Sequence, residues 1–275
     1  MKQFFNGVTK MKPLGIVLYK GPSLLDGKNI IVVATGLGRK TKNAKIGSMI
    51  PIWILRKDIP PVLAAKIGED FSICGNCKHR DFHSCYVTLH HGPQNIYNAY
   101  HNDRYVDFEP EMYKYFHGRQ VRLGAYGDPA AVPLHIWQNL CLHVVGHTGY
   151  THQWKTCDQK LKHYCMASCD YDKEYNQAHE MGWKTFRIRL ENESLFENEF
   201  VCPASKEAGK MTNCGNCGAC KGVRDNGIGK SPVIMAHGGG AQSWRTRNFE
   251  IGIKKLKNKK RYRIDFPQRL KNLCL

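Results

Sequence analysis

Val121-Arg-Leu-Gly-Ala-Tyr-Gly127-Asp128-Pro129 is a β-rich run stopped by a glycine, a carboxylate and a proline, the punctuation that ends a strand and opens a turn. From about residue 119 the same rhythm recurs. Beyond the strand at 121–127, the β-rich runs at 141–145, 163–169, 185–190 and 233–237 predict four more. Helical patterns at 133–140 and 172–181 fall between them. For the second helix, Asp170 or Asp172 is the candidate N-cap and Gly182 lies just past the end. The first four strands recur about every 20 residues, too tightly for two domains with a linker and in keeping with parallel βα units wound as in a barrel. The expected class is therefore α/β, a partial βα barrel.

Upstream, residues 29–37 and 51–55 read as strands, and 60–67 and 110–116 as short helices opened by prolines. No low-complexity linker or internal repeat divides the chain. The expected organisation is a single α/β barrel-like domain over residues 1–250, with a cysteine-rich metal segment at 200–222 and a basic tail at 251–275.

The 275 residues, 42 % hydrophobic and 11 % aromatic, allow a substantial core and exclude disordered and fibrous classes. The longest apolar run, around Ile30 to Ala34, is far below the ~20 residues of a spanning helix. The first residues lack the apolar stretch and small-residue cleavage site of a secretory signal, so the expected location is a cytoplasm. In that reducing setting the clustered thiols among the twelve cysteines read as metal ligands rather than disulfides.

Net charge is +18 and unevenly placed: residues 1–60 hold 11 basic and 2 acidic side chains, residues 251–275 hold 9 and 1, and the stretch between is nearly neutral. Basic ends around a neutral body suit a polyanion, because neutralised phosphates release counterions. A nucleotide or nucleic acid is the expected partner; a solvated, solubilising tail is the competing reading.

Cys214-Gly-Asn-Cys217-Gly-Ala-Cys220 is a C-x2-C-x2-C run, with Cys202-Pro203 twelve residues upstream. Three closely spaced thiolates and a remote fourth followed by proline suit a 4Fe–4S iron–sulfur cluster. Zinc is the alternative metal, although its four-thiolate sites more often use two separated C-x2-C knuckles. Cys74-Gly-Asn-Cys77 with Cys85 forms a second group, C-x2-C-x7-C. Three thiolates without an obvious fourth leave an open coordination position, and His83, Cys165 or Cys169 would close it. Cys141, Cys157 and Cys274 read as non-ligands.

Strand-end loops supply the remaining candidates. Gly127, Asp128 and Pro129 close the first clear strand, where barrel proteins gather their active sites, and Asp128 is placed to hold an ammonium or hydroxyl group. Val145-Gly-His147-Thr-Gly-Tyr150-Thr-His152-Gln-Trp154 suits the wall of a flat ligand. His237-Gly-Gly-Gly240 offers backbone amides to a phosphate. An ordinary turn or packed loop explains each of these equally well.

Asn43-Ala-Lys-Ile-Gly-Ser-Met49, Cys85-Tyr86-Val87, Gly124-Ala-Tyr-Gly-Asp-Pro129, Gly149-Tyr-Thr-His-Gln-Trp154 and Cys202-Pro-Ala-Ser-Lys-Glu-Ala-Gly209 with the C-x2-C-x2-C run resemble a family carried by bacteriophages and plasmids. The resemblance spans roughly residues 29 to 238 and implies a mobile-element origin, leaving the activity open. More distantly, Tyr126-Gly-Asp-Pro129 is similar to the loop after the second strand of radical S-adenosylmethionine enzymes. That resemblance implies a barrel with an open cluster on Cys74, Cys77 and Cys85, and S-adenosylmethionine held near Gly127, Asp128 and Pro129. The early cysteines of those enzymes follow C-x3-C-x2-C, a spacing this chain does not share.

Two functions follow. The first is an iron–sulfur enzyme of the radical type acting on a nucleotide or nucleic acid. The second is a non-enzymatic binder stapled by metal, with the run from Lys254 to Arg263, seven of its ten residues basic, clamping phosphates while Tyr262 and Phe266 stack on bases.

Overall fold

The computed structural model describes residues 12–38, 44–81, 84–225, 227–237, 240–243, 245 and 246. They form two compact units, one from the described parts of Met1–Cys77 and Val87–Met235, the other from those of Lys78–Tyr86 and Ala236–Leu275. The basic run from Lys254, Cys274 and the possible ligand His83 lie outside the described residues.

The first unit is mixed α/β with two sheets. Strands β1 (Gly15–Pro22), β2 (Asn29–Thr35) and β3 (Ile50–Arg56) pair antiparallel in succession. The turn between β1 and β2 is set by Asp26-Gly27: the Asp26 carboxylate accepts from Lys28 N at 3.1 Å, and Gly27 takes the left-handed φ of 77°, which costs glycine little. β2 is buried from Ile30 to Ala34, as a strand covered on both faces must be. β4 (Val106–Asp107) adds parallel to β1 at one edge, and β5 (Gln120–Tyr126) and β6 (Gly146–Thr148) add parallel beyond β3.

The second sheet is wholly parallel, in the order β10 (Glu199–Val201), β11 (Ser231–Met235), β9 (Thr185–Arg189), β8 (Met166–Cys169), β7 (Tyr150–Thr151). Only Gly149 separates β6 from β7, so one extended segment passes from the first sheet to the second. A Cβ at Gly149 would stand 2.7 Å from Cys165 Sγ and 3.0 Å from Tyr164 O, so the crossing needs glycine. Its amide donates to Cys220 O (3.2 Å) and its carbonyl accepts from Met166 N (2.9 Å).

Short helices lie between the strands: α1 (Pro61–Ile67) and α2 (Phe71–Cys74) after β3, then α4 (Gly92–His101), α5 (Leu134–Leu142) and α6 (Asp172–Glu180). The second unit contributes α3 (Lys78–Asp81). Trp137, Trp154 and Trp183 are fully buried, each indole N–H donating to an oxygen at 2.9 to 3.1 Å, which removes the penalty of burying an unpaired donor.

Several expectations shift. The strand expected at 141–145 does not form; α5 runs on through Leu142, because Trp137 and Leu140 bury a helical face. Leu142 and Val145 stay exposed, and extended structure begins only at Gly146. Neither Asp170 nor Asp172 caps α6; the cap is Tyr171, with the Glu174 carboxylate reaching back to Asp170 N at 3.0 Å. The helix expected at 110–116 is a 3-10 turn, Pro110–Tyr115. The Cys-rich stretch does enclose a small apolar core, in which Cys202, Cys214 and Ala204 pack with Met49 and Ile234.

The second unit holds His79 hydrogen-bonded to Ser84 (2.9 Å) and Gly240 close against the Ser84 backbone, where a Cβ would meet Ser84 O at 2.5 Å. Among the described residues, no helix is long and apolar enough to cross a membrane.

Candidate metal centre and strand-end site

Cys202 follows β10 directly, its amide donating to Val233 O at 2.8 Å, which adds a bond to the β10–β11 ladder. Cys214 opens the single turn α7 (Cys214–Cys217), fixed by Asn213, whose side-chain oxygen accepts from Asn216 N at 3.0 Å. Cys214 N donates to Lys45 O at 2.7 Å. Gly218, at φ 60°, ends the turn in the left-handed region, and the chain bends so that Cys220 meets the crossing segment at Gly149.

Four thiols thereby gather. Cys202, Cys214 and Cys220 are buried and Cys217 is half-buried. Burial pushes the Cys220 thiol up to about 12, and negative charge on Cys202, Cys214 or Cys217 pushes the same way, against a hydrogen bond from Tyr150. Cys202 is raised by burial and by Cys214 and Cys217, and lowered by the nearby Lys45. Such mutual repulsion opposes ionisation of a buried thiol set unless a cation sits among it. Among the described residues no three cysteine sulfurs lie within 4.8 Å of one another.

Cationic groups line this centre. The half-buried Lys184 donates to Ala219 O at 3.1 Å, and burial lowers its pKa despite the pull of Cys220 and Cys217. The Arg122 guanidinium lies 5.3 Å from the centre of the Tyr150 ring. Burial, followed by the charge of Cys220, holds the Tyr150 hydroxyl well above its ordinary value, so it stays a donor to Cys220.

A second group sits at the carboxyl ends of β5, β7 and β8. Gly127 has φ 84°, and a Cβ there would strike Ile54 at 2.6 Å; the chain turns sharply and buries Asp128. One Asp128 oxygen accepts from Ala130 N (2.9 Å) and the other from His152 N (2.8 Å). Asp128 N donates to Ile73 O at 2.6 Å. The carboxylate thus ties the end of β5 to the end of β7, and both its oxygens are engaged by protein. Burial raises its pKa against these hydrogen bonds.

The loop carrying Cys74 and Cys77 lies against the same strand ends, held by Gln153. Cys77 Sγ is 3.8 Å from His152 Nε2, and that nitrogen is 3.8 Å from Oδ2 of Asp170, the first residue past β8. Burial alone would lower the His152 pKa, but Cys77 and Asp170 outweigh it and raise the pKa well above the ordinary value.

The structure therefore brings together Cys202, Cys214, Cys217 and Cys220, and separately Cys74, Cys77 and Asp128 at the strand ends; Cys85 is exposed in the second unit. Cys165 and Cys169 are fully buried in the main core. Trp154 is core as well rather than a ligand wall. Sequence reasoning did not find Asp170 as a partner of His152, nor Tyr150, Arg122 and Lys184 as neighbours of the thiols, because adjacency of strand ends leaves no spacing signal. No family model, no curated protein and no solved structure matches the chain.

Proposed function

We propose that the chain is an iron–sulfur enzyme, with a cluster on Cys202, Cys214, Cys217 and Cys220 and a reaction centre at the carboxyl ends of its parallel strands, acting on a nucleotide or nucleic acid. The observation that carries this reading is the convergence of thiols from two stretches of chain, Cys202 and Cys214 to Cys220, beside one small apolar cluster with Lys45, Lys184 and Arg122 nearby. Zinc at ~2.3 Å from four tetrahedral thiolates would hold the sulfurs only about 3.8 Å apart. The larger iron–sulfide cube also takes four thiolates, and its anionic charge would be offset by the three cations. Such a cluster supplies single electrons.

The order β3, β5, β6 with β7, β8, β9, β11 supports a partial barrel, and in such folds ligands sit at the carboxyl ends of the strands, where Cys74 and Cys77 lie. The radical S-adenosylmethionine form of this chemistry requires Cys74, Cys77 and Cys85 to share an open cluster. Asp128 lends that form little, since its oxygens already bind Ala130 and His152. The nucleotide substrate rests on charge alone.

Anaerobic purification tests the reading. Brown protein with broad visible absorption, matching iron and sulfide, and a reduced-state electron paramagnetic signal lost in Cys217→Ala is expected; colourless protein free of sulfide would refute it. Cleavage of S-adenosylmethionine by the reduced protein would assign the radical form.

A further inference from the structure

We propose that Lys162, Lys184, Lys221 and Arg224 form a surface that holds the phosphate backbone of a nucleic-acid strand, beside the four-cysteine centre. Lys162 lies in the turn that leads into β8 and Lys184 is the residue before β9, so the surface sits at the amino ends of these parallel strands, opposite the carboxyl ends that carry the reaction centre. The inference rests on the nucleic-acid part of the reading above and gives that partner a place; it does not need the cluster.

The backbone knits the cation-bearing segments together. Val223 N donates to Lys162 O at 2.8 Å, and His147 Nε2 donates to Lys221 O at 3.2 Å. Gly222, at φ 82°, lies so close that a Cβ there would overlap Lys162 O. The Lys162 ammonium stands 3.4 Å from the place a Cβ would take on Gly182, two residues before Lys184. Lys184 in turn feels the positive charge of both Arg224 and Lys221. Lys160, exposed on the same turn as Lys162, extends the patch.

Carboxylates do not offset this repulsion. The stretches 158–164, 182–186 and 219–225 hold Asp158 and Asp225 as their only acids, and Asp158 caps its own turn by accepting from Lys160 N at 2.9 Å. Among the described residues none of the four cations forms an ion pair. Cys217 and Cys220 attract Lys184, whereas Arg224 stands exposed to solvent. Like charges fixed side by side destabilise the free protein, and a ligand with repeated negative charge relieves them. Phosphates do so with release of their counterions, and cations on a braced backbone lose little freedom when they bind. The net charge of +18 spreads the attraction over the chain, which suits a long polyanion better than one compact acidic partner.

The test is fluorescence anisotropy of a labelled single-stranded DNA oligonucleotide, titrated with the full chain at several salt concentrations. Lys162→Ala, Lys221→Ala and Arg224→Ala are combined in one variant, with circular dichroism to check its fold and metal analysis to check its iron. Loss of three phosphate contacts should lower the slope of log affinity against log salt by roughly 2, and weaken binding on the order of tenfold or more near 0.1 M salt. Acetylation footprinting of the wild type, read by mass spectrometry, does not depend on the variant. The oligonucleotide should protect Lys162 and Lys221, while Lys66 on α1 and Lys173 on α6, both exposed, react as before. The proposal is overturned if the folded variant keeps the wild-type slope and affinity, or if Lys162 and Lys221 react equally with and without the oligonucleotide. It is overturned too if polyglutamate of matched charge protects these lysines and displaces the oligonucleotide, which would mark an acidic protein as the partner. Loss of iron in the variant would assign the cations to the cluster instead. A wild type that binds the oligonucleotide through these lysines yet holds no iron would refute the cluster and leave this surface standing.

Discussion

Gln153 holds Cys74 in place: its side-chain nitrogen donates to Cys74 O at 3.1 Å while its oxygen accepts from Asn76 N at 3.2 Å. A single buried amide thus satisfies two backbone groups of the C-x2-C loop from the end of β7. Gly75 lies between them at φ 54°, and a Cβ there would reach within 2.5 Å of the Gln153 side chain. Gln153→Ala should cost about 1–3 kcal/mol, since it leaves buried partners unpaired, and Gly75→Ala a similar amount through strain and overlap. Urea denaturation of the full chain measures both. Changes below about 0.5 kcal/mol, the range of ordinary surface substitutions, would mean the loop is not held this way.

Tyr150 donates to Cys220 within the proposed cluster shell. Hydrogen bonds to cluster sulfur favour the reduced, more negative state. Tyr150→Phe should therefore lower the midpoint potential, and a bond worth about 0.5–1.5 kcal/mol corresponds to roughly 20–65 mV for one electron. Redox titration followed by electron paramagnetic resonance gives the value; an unchanged or raised potential removes Tyr150 from this role.

Arg187 and Glu199 form a fully buried two-bond pair, at 2.8 and 2.7 Å, linking β9 to β10 just before Cys202. Glu199→Ala removes both of these bonds and leaves the guanidinium with the more distant Glu193 carboxylate at 3.6 Å; breaking a buried pair in this way costs about 3–5 kcal/mol. Thermal melts should show the loss, and iron content should fall with it as β10 frays. A stable variant with full iron would separate the pair from the centre.

His179, on α6, is partly buried with its ring 4.3 Å from that of Tyr175 and 3.4 Å from the Thr185 hydroxyl. Burial lowers its pKa, against a smaller opposing effect of Glu199. The unfolded chain then takes up this proton first as pH falls. His179 stability is fully present above the unfolded value of about 6.5, and is lost as pH drops from there through the lower folded value. His179→Gln should flatten this part of the acid limb in stability measured from pH 7.5 to 5 in steps of about 0.5; an unchanged limb would assign the acid sensitivity elsewhere.

The parts legible in the sequence are those with local causes. The strand at 121–127 and the helix at 172–181 form within a residue or two, as Gln120–Tyr126 and Asp172–Glu180, because β-rich composition and helical periodicity act over a few residues. The run at 141–145 misleads for the same reason: Val144-Val145 is β-branched, yet the buried face of Trp137 and Leu140 carries the helix through Leu142, and Val144 and Val145 fall in the turn that follows. Burial of Trp154 and the double engagement of Asp128 depend on which strand ends become neighbours. The approach of Asp170 to His152 does too. Tertiary placement decided these, and no local pattern encodes it.

X-ray absorption at the iron and zinc edges of the anaerobically purified chain tests the central claim most directly. An iron edge with a sulfur shell and iron–iron scattering, abolished when Cys202, Cys214, Cys217 and Cys220 are replaced by serine together, is the predicted result. A zinc edge with four sulfurs at about 2.3 Å and no iron would contradict it.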